Sequence, residues 1–130
     1  MFVLDTNTLI YYFKGMGQVA ENMLRHSPQE IGIPSVVLYE LEVGIAKSTS
    51  PEKRTKQLAE LVSIIHILPF DLAAAKMAAQ IRVALEENGQ PIGPYDILIA
   101  ATALTNQGIL ITHNTNEYAR IENLFLADWY

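Results

Sequence analysis

Three carboxylates in this sequence lack an obvious local partner: Asp5, Glu40 and Asp96. Asp96 lies in Gly93-Pro94-Tyr95-Asp96-Ile97-Leu98-Ile99-Ala100-Ala101, a turn feeding an apolar helix. Proline suits a first helical position, where its missing N–H would be unsatisfied anyway, and glycine permits the sharp entry. Asp96 then falls in the first turn, where an acid complements the helix dipole. Its i+3 and i+4 neighbours, Ile99 and Ala100, offer no ion pair. Asp5 closes the first apolar run and opens Asp5-Thr6-Asn7-Thr8, a cluster of cap-forming side chains. Taken alone, Asp5 and Asp96 are adequately explained as a cap and a dipole partner. Glu40 has Val36, Val37, Val43 and Gly44 as its helical neighbours, and Glu42 has Leu38, Tyr39, Ile45 and Ala46. Residues two apart on a helix differ by about 200°, so only one of the two glutamates can face a shared site, and periodicity leaves open which. An ionised acid on such an apolar face needs water or a cation.

If Asp5, Glu40 and Asp96 meet, the chemistry narrows. Two carboxylates about 4 Å apart repel by roughly 4 kcal/mol at an effective dielectric of 20. Three stay ionised together only with a counter-cation. Oxygen ligands without histidine or cysteine favour Mg²⁺ or Mn²⁺. Such ions activate water and neutralise a phosphoryl transition state, so phosphodiester hydrolysis is the natural reaction.

The elements needed to position these acids can be read in order. Strands are expected at residues 2–4, 31–33, 64–68, 109–112 and 124–127, the third of them buried. Helices are expected over 9–13, 18–26, 36–47, 51–63, 72–87, 94–107 and 115–120. Ser35, Ser50 and Asp71 are expected caps, with Pro51 at a first helical position. Asn114-Thr115-Asn116-Glu117 matches a capping box. Alternating strands and helices predict an α/β fold with a mainly parallel sheet, flanked by helices, in one domain spanning residues 1–130. In such sheets sites form at the carboxyl ends of strands, and Asp5 and Asn114 both lie just past one.

The bulk properties bound the function. The chain has 130 residues, 50% of them apolar and 18% charged, enough for one ordinary globular core. It has no cysteine, which removes disulfides and thiolate chemistry and suits a reducing compartment. The first apolar run is too short for a signal peptide and no run reaches the length of a membrane span, so a cytoplasmic protein is expected. The net charge of −5 counts against simple nucleic-acid binding. It counts less against an enzyme whose acidic pocket holds cations. His26, His66 and His113 show no metal-ligand spacing; His66 reads as structural and His113 as a neighbour of the site. Lys53, Arg54 and Lys56 form the densest basic cluster, with Glu52–Lys56 and Lys56–Glu60 spaced as i,i+4 pairs on a solvated face. Lys14 and Lys47 follow the two helices that carry candidate residues and are placed to touch phosphates.

The order Leu4-Asp5-Thr6-Asn7, Glu40-Leu41 with Gly44, Gly93-Pro94-Tyr95-Asp96 with Ile99-Ala100-Ala101, and Thr112-His113-Asn114 with Tyr118 resembles the PIN-domain ribonucleases, and more narrowly the VapC toxins of toxin–antitoxin pairs. The resemblance covers the whole chain. It implies a PIN-like fold and endonucleolytic cleavage of RNA dependent on Mg²⁺ or Mn²⁺. By the same analogy Asp5 and Asp96 are metal ligands, and Glu40 rather than Glu42 is the site acid. Asn7 and Thr112 orient the site, and Asn114 stands where many members carry a fourth acid. That amide puts a second metal site in doubt unless Glu117, one helical turn on, compensates. The resemblance also implies a homodimer, inhibition by a VapB-type antitoxin that covers the apolar residues 9–13, and operator DNA bound only through that antitoxin. Some relatives with a Gly-Pro-Tyr/Phe-Asp motif cut the anticodon loop of initiator tRNA, which makes a structured tRNA the preferred substrate that the resemblance implies. A haloacid-dehalogenase-type phosphatase would need a second aspartate where Asn7 stands, and a receiver domain would need an acidic pair after the first strand. The remaining rival is a PIN-like module that binds its antitoxin or RNA with weak catalysis; the amide at position 114 and the acidic charge are its support.

Overall fold

A computed structural model describes all 130 residues. The chain runs β1 (Phe2–Leu4), α1 (Thr6–Lys14), α2 (Val19–Leu24), a 3₁₀ turn (Pro28–Glu30), β2 (Ile31–Pro34), α3 (Ser35–Ala46), α4 (Pro51–Val62), β3 (His66–Leu68), α5 (Leu72–Glu87), α6 (Pro94–Thr105), β4 (Ile109–Ile111), α7 (Thr115–Tyr118) and β5 (Phe125–Ala127). The five strands form one sheet in the order β3-β2-β1-β4-β5. All four pairings are parallel. The fold is thus the expected α/β arrangement of a parallel sheet flanked by helices.

The central strand is β1, where Val3 and Leu4 are fully buried, beside Leu110 and Ile111 of β4 and Ile33 of β2. Continuous apolar runs of this kind are what a parallel sheet covered by helices requires. Leu9 of α1, Val37 of α3 and Ile99, Ala100 and Ala103 of α6 complete the buried cluster. Helix α3 packs against α1, α4 and α6, and α5 lies along α6. Gly108 is fixed by close approach: a Cβ there would stand 2.6 Å from Val3 Cγ2 and 3.1 Å from the Met1 carbonyl oxygen. No helix is long and apolar enough to cross a membrane.

Several local expectations need correction. The run 64–68 forms only the three-residue edge strand β3, with His66 and Ile67 exposed and Leu68 alone buried. A β-branched run signals a strand but not its place in the sheet. Ser35 is the first residue of α3, with Pro34 in the cap position, and the Ser50 side chain makes no capping bond. The pairs Glu52–Lys56 and Lys56–Glu60 are not among the ion pairs, which are His26–Glu30, Arg82–Glu86 and His113–Asp128. In that basic stretch Arg54 instead donates to the Phe13 carbonyl at 3.1 Å and to Gln57 Oε1 at 2.9 Å, fastening α4 to α1.

Candidate active site

The chain turns left from β1 to β2 and right from β1 to β4, so the sheet's switch point lies between β1 and β4. Ligand sites in parallel sheets open at the carboxyl ends of the strands at such a point. Asp5 follows β1 there and Thr112 follows β4. The Asp5 N–H donates to the Ile111 carbonyl at 3.2 Å, extending the β1–β4 ladder to the acid itself. Asp5 also caps α1: its Oδ1 accepts from the Thr8 N–H at 2.9 Å. The Thr8 hydroxyl donates to the Ile111 carbonyl at 3.1 Å. The cap therefore pins the helix and the sheet at one corner. Asp5 is 5% exposed. Burial raises its pKa above the ordinary 3.8, countered in part by the Thr112 and Thr8 groups beside it, while the charge on Asp128 adds a smaller rise.

Asp96 enters from the first turn of α6, behind Gly93 and Pro94 as the sequence predicts. It is half-buried. Its Oδ1 accepts from the Tyr118 hydroxyl at 3.1 Å. Burial raises its pKa, the Tyr118 hydrogen bond opposes that rise, and the charges of Glu117, Glu40 and Asp5 raise it further. Those four carboxylates share one electrostatic neighbourhood. Tyr118 is 1% exposed, and burial followed by the Asp96 charge drives its phenol far above the usual value, so it remains a donor at any physiological pH.

Glu40 is half-buried and Glu42 exposed, so it is the Glu40 face of α3 that turns toward the other acids. Glu40 Oε1 accepts from the Thr6 hydroxyl at 2.8 Å. A groove of about 340 Å³ runs from Glu40 past Gly44, Lys14 and Arg54. Lys14 thus borders the site region, whereas Lys47 does not line this groove.

Asn114 does not make the expected capping box. Its side chain caps nothing; Nδ2 donates to Glu117 Oε2 at 3.0 Å, and its own N–H is taken by the Thr112 hydroxyl at 3.0 Å. A short helix of four residues leaves Glu117 free to turn toward this amide instead of the cap backbone. Thr112 is fully buried and holds this corner together, while Asn7 is exposed and makes no side-chain hydrogen bond. His113 lies outside the acid cluster. Its Nδ1 meets Asp128 Oδ2 at 2.8 Å, and its ring stacks on Tyr130 at 4.3 Å. His26 stacks on Trp129. No three acids or imidazoles close tightly enough on one point to form a ready-made metal cage. Thr6, Asp128 and the donor role of Tyr118 escaped the sequence reading, because their partners lie 34, 15 and 22 residues away.

Comparison with known proteins bears directly on this arrangement. The PIN-domain family profile matches residues 2–124. The chain belongs to the PIN-domain family. Within that family this PIN-domain protein is 37% identical over 128 residues to a VapC from Shigella flexneri named as a tRNA(fMet)-specific endonuclease, covering 98% of this chain and 97% of that one. Among solved structures it is similar to the VapBC2 complex of Rickettsia felis bound to a promoter DNA fragment, with TM-score 0.92 and 32% identity, covering 99% of this chain and 98% of that one. A DNA-bound VapBC from Salmonella typhimurium matches with TM-score 0.92 and 34% identity over the same shares. The PIN-domain protein therefore carries the fold of its family over almost its whole length.

Proposed function

We propose that this PIN-domain protein is the toxin of a type II toxin–antitoxin pair, a divalent-metal-dependent endoribonuclease that hydrolyses RNA phosphodiester bonds, with tRNA as its substrate class. The observation that carries the reading is the convergence of charge on Asp96, which feels Glu117, Glu40 and Asp5 together. Like charges gathered at a half-buried carboxylate are stable together when a cation joins them. The name of the Shigella relative supports the substrate class. The DNA-bound VapBC assemblies support a VapB-type antitoxin as partner, with operator DNA reached through it.

Asp5 and Asp96 would hold Mg²⁺ or Mn²⁺. The donor set fits, being all oxygen, and Mg²⁺ keeps several waters when bound by one or two carboxylates, so a tighter cage is not needed. When bound, the ion supplies charge neutralisation at the phosphate and activation of water. Tyr118 orients Asp96 and keeps it ionised by donating to it. Glu40, held by the Thr6 hydroxyl, accepts a proton from the attacking water. Asn114 acts through Glu117: by donating to that carboxylate it holds the fourth negative charge near Asp96. Lys14 and Arg54, along the groove from Glu40, meet the RNA backbone. The chain works as a single domain and, following its resemblance, as a homodimer in the cytoplasm. The weakly catalytic module is the lesser reading, because Glu117 offsets the amide at position 114.

Purified protein, free of antitoxin, is expected to cut total tRNA into discrete fragments with Mg²⁺ or Mn²⁺ and to leave it intact in EDTA. Asp96→Asn is expected to be inactive under every condition. Cleavage that survives chelation or Asp96→Asn would refute the mechanism, and no cleavage by folded protein would favour the binding module.

A further inference from the structure

Two tyrosines stand immediately before two of the acids. Tyr39 precedes Glu40 on α3, and Tyr95 precedes Asp96 on α6. Their rings meet, with centroids 5.7 Å apart, so the pair bridges the two helices. Yet neither ring is enclosed: Tyr39 is 53% and Tyr95 44% exposed. The planes are inclined at 56°, so the rings do not cover each other face to face. The pair is a preassembled wedge of two aromatic faces, open to solvent, on the rim of the acid cluster. Core packing does not require this. The buried aromatic of the site is Tyr118, whose hydroxyl is used by Asp96.

We propose that the Tyr39–Tyr95 pair is a specificity-determining platform that stacks an unpaired base of the RNA next to the phosphodiester held at the acids. The inference rests on the endoribonuclease reading and goes beyond it by naming what positions the substrate. Bases splayed from single-stranded loops are recognised by stacking on aromatic side chains, and every base presents a π-face. Tyrosine loses little conformational freedom on contact, having two side-chain torsions. Tyr95 touches Tyr39 and lies within reach of the Glu40 charge, so a nucleotide whose phosphate reaches the carboxylates brings its own or its neighbour's base to the wedge. The platform therefore selects unpaired over base-paired RNA, since a base inside a duplex offers no free face.

The test uses a single-stranded oligonucleotide carrying the mapped cut site, and the same strand with an abasic nucleotide beside the cut. Tyr39→Leu and Tyr95→Leu are expected to raise KM roughly 5- to 100-fold, the range of one lost base stack. Melting temperature should be retained, as both side chains are half outside the protein. Tyr→Phe or Tyr→Trp at either position is expected to rescue KM. On the abasic strand the wild type should lose the same factor, and the Leu variants should lose nothing more. Unchanged KM in both Leu variants, or equal losses on intact and abasic strands, would overturn the platform and leave the pair as a protein contact surface. Binding of the intact strand to Asp96→Asn protein reads the stack without cleavage. Ring-dependent binding together with no cleavage by the folded wild type in Mg²⁺ or Mn²⁺ would overturn the nuclease reading alone, and ring-independent binding with cleavage retained would overturn the platform alone.

Discussion

Asp5 caps α1 and, in the proposed function, also serves as a site acid, and the two roles respond differently to substitution. As a cap it needs only an oxygen acceptor for the Thr8 N–H, which asparagine also provides. As a site acid it needs its charge, which burial penalises. Asp5→Asn is therefore expected to abolish cleavage while leaving the metal-free protein at least as stable at neutral pH. Asp5→Ala loses both and should cost about 1 kcal/mol by denaturant titration. The pH dependence follows from the raised pKa values of Asp5 and Asp96. Between 3.8 and the raised folded values, the folded state keeps protons that the unfolded chain has released. Stability conferred by these groups thus falls as pH rises through that window, and the penalty is complete above it. The stability difference between wild type and Asp5→Asn should shrink on acidification toward 3.8. A difference that grows instead would mean that Asp5 is stabilised, not strained, by its surroundings. Asp5 and Asp96 were recognisable because a strand end and a helix mouth each left an acid without a neighbour to pair with. Their hydrogen-bond donors were not, since no local pattern brings Tyr118 to Asp96 across 22 residues.

At the scale of elements, α3 decides which glutamate serves the site. The helix is apolar nearly all round, so its hydrophobic pattern has no single face to read, and Glu40 and Glu42 remain equivalent on sequence grounds. Packing against α1, α4 and α6 breaks the tie and turns Glu40 inward. Glu40→Gln is expected to lower kcat/KM at least about tenfold, or roughly 1.4 kcal/mol of transition-state stabilisation, with Glu42→Gln within about twofold of wild type. Equal losses in the two variants would undo this assignment of the helix face. The strands show the same division. Their existence followed from short β-branched runs between turn residues, but the exposed edge position of β3 depends on the sheet order, which is a property of the assembled molecule. The Asn114 corner failed as a local motif for a related reason: Glu117 and Thr112 compete for the groups that a capping box would use.

For the whole molecule, the net charge of −5 and the concentration of carboxylates at one end of the sheet act in the same direction. Without a cation, mutual repulsion at the site adds to the excess negative charge overall. Mg²⁺ at ten times its Kd is expected to stabilise the fold by about 1.4 kcal/mol, a rise of roughly 5 °C in melting temperature. KCl at matched ionic strength should not reproduce that rise, and Asp96→Asn should remove most of it. The α/β class and parallel sheet were legible because every strand alternates with a helix. The way distant segments complete the site was not, because the pattern of a single segment carries no record of its tertiary partners.

The central place of β1 has a consequence for the order of events during synthesis. The first strand made must wait for β4, more than a hundred residues later, before Asp5 can bond to Ile111 and lie buried between its neighbours. Tyr118, which secures Asp96, arrives later still. Contacts this far apart in sequence form late in folding, because a long loop must close before they are rewarded. A nascent chain therefore carries its acids on the ribosome without the geometry that joins them. The arrangement that joins the acids is complete only once almost the whole chain has emerged.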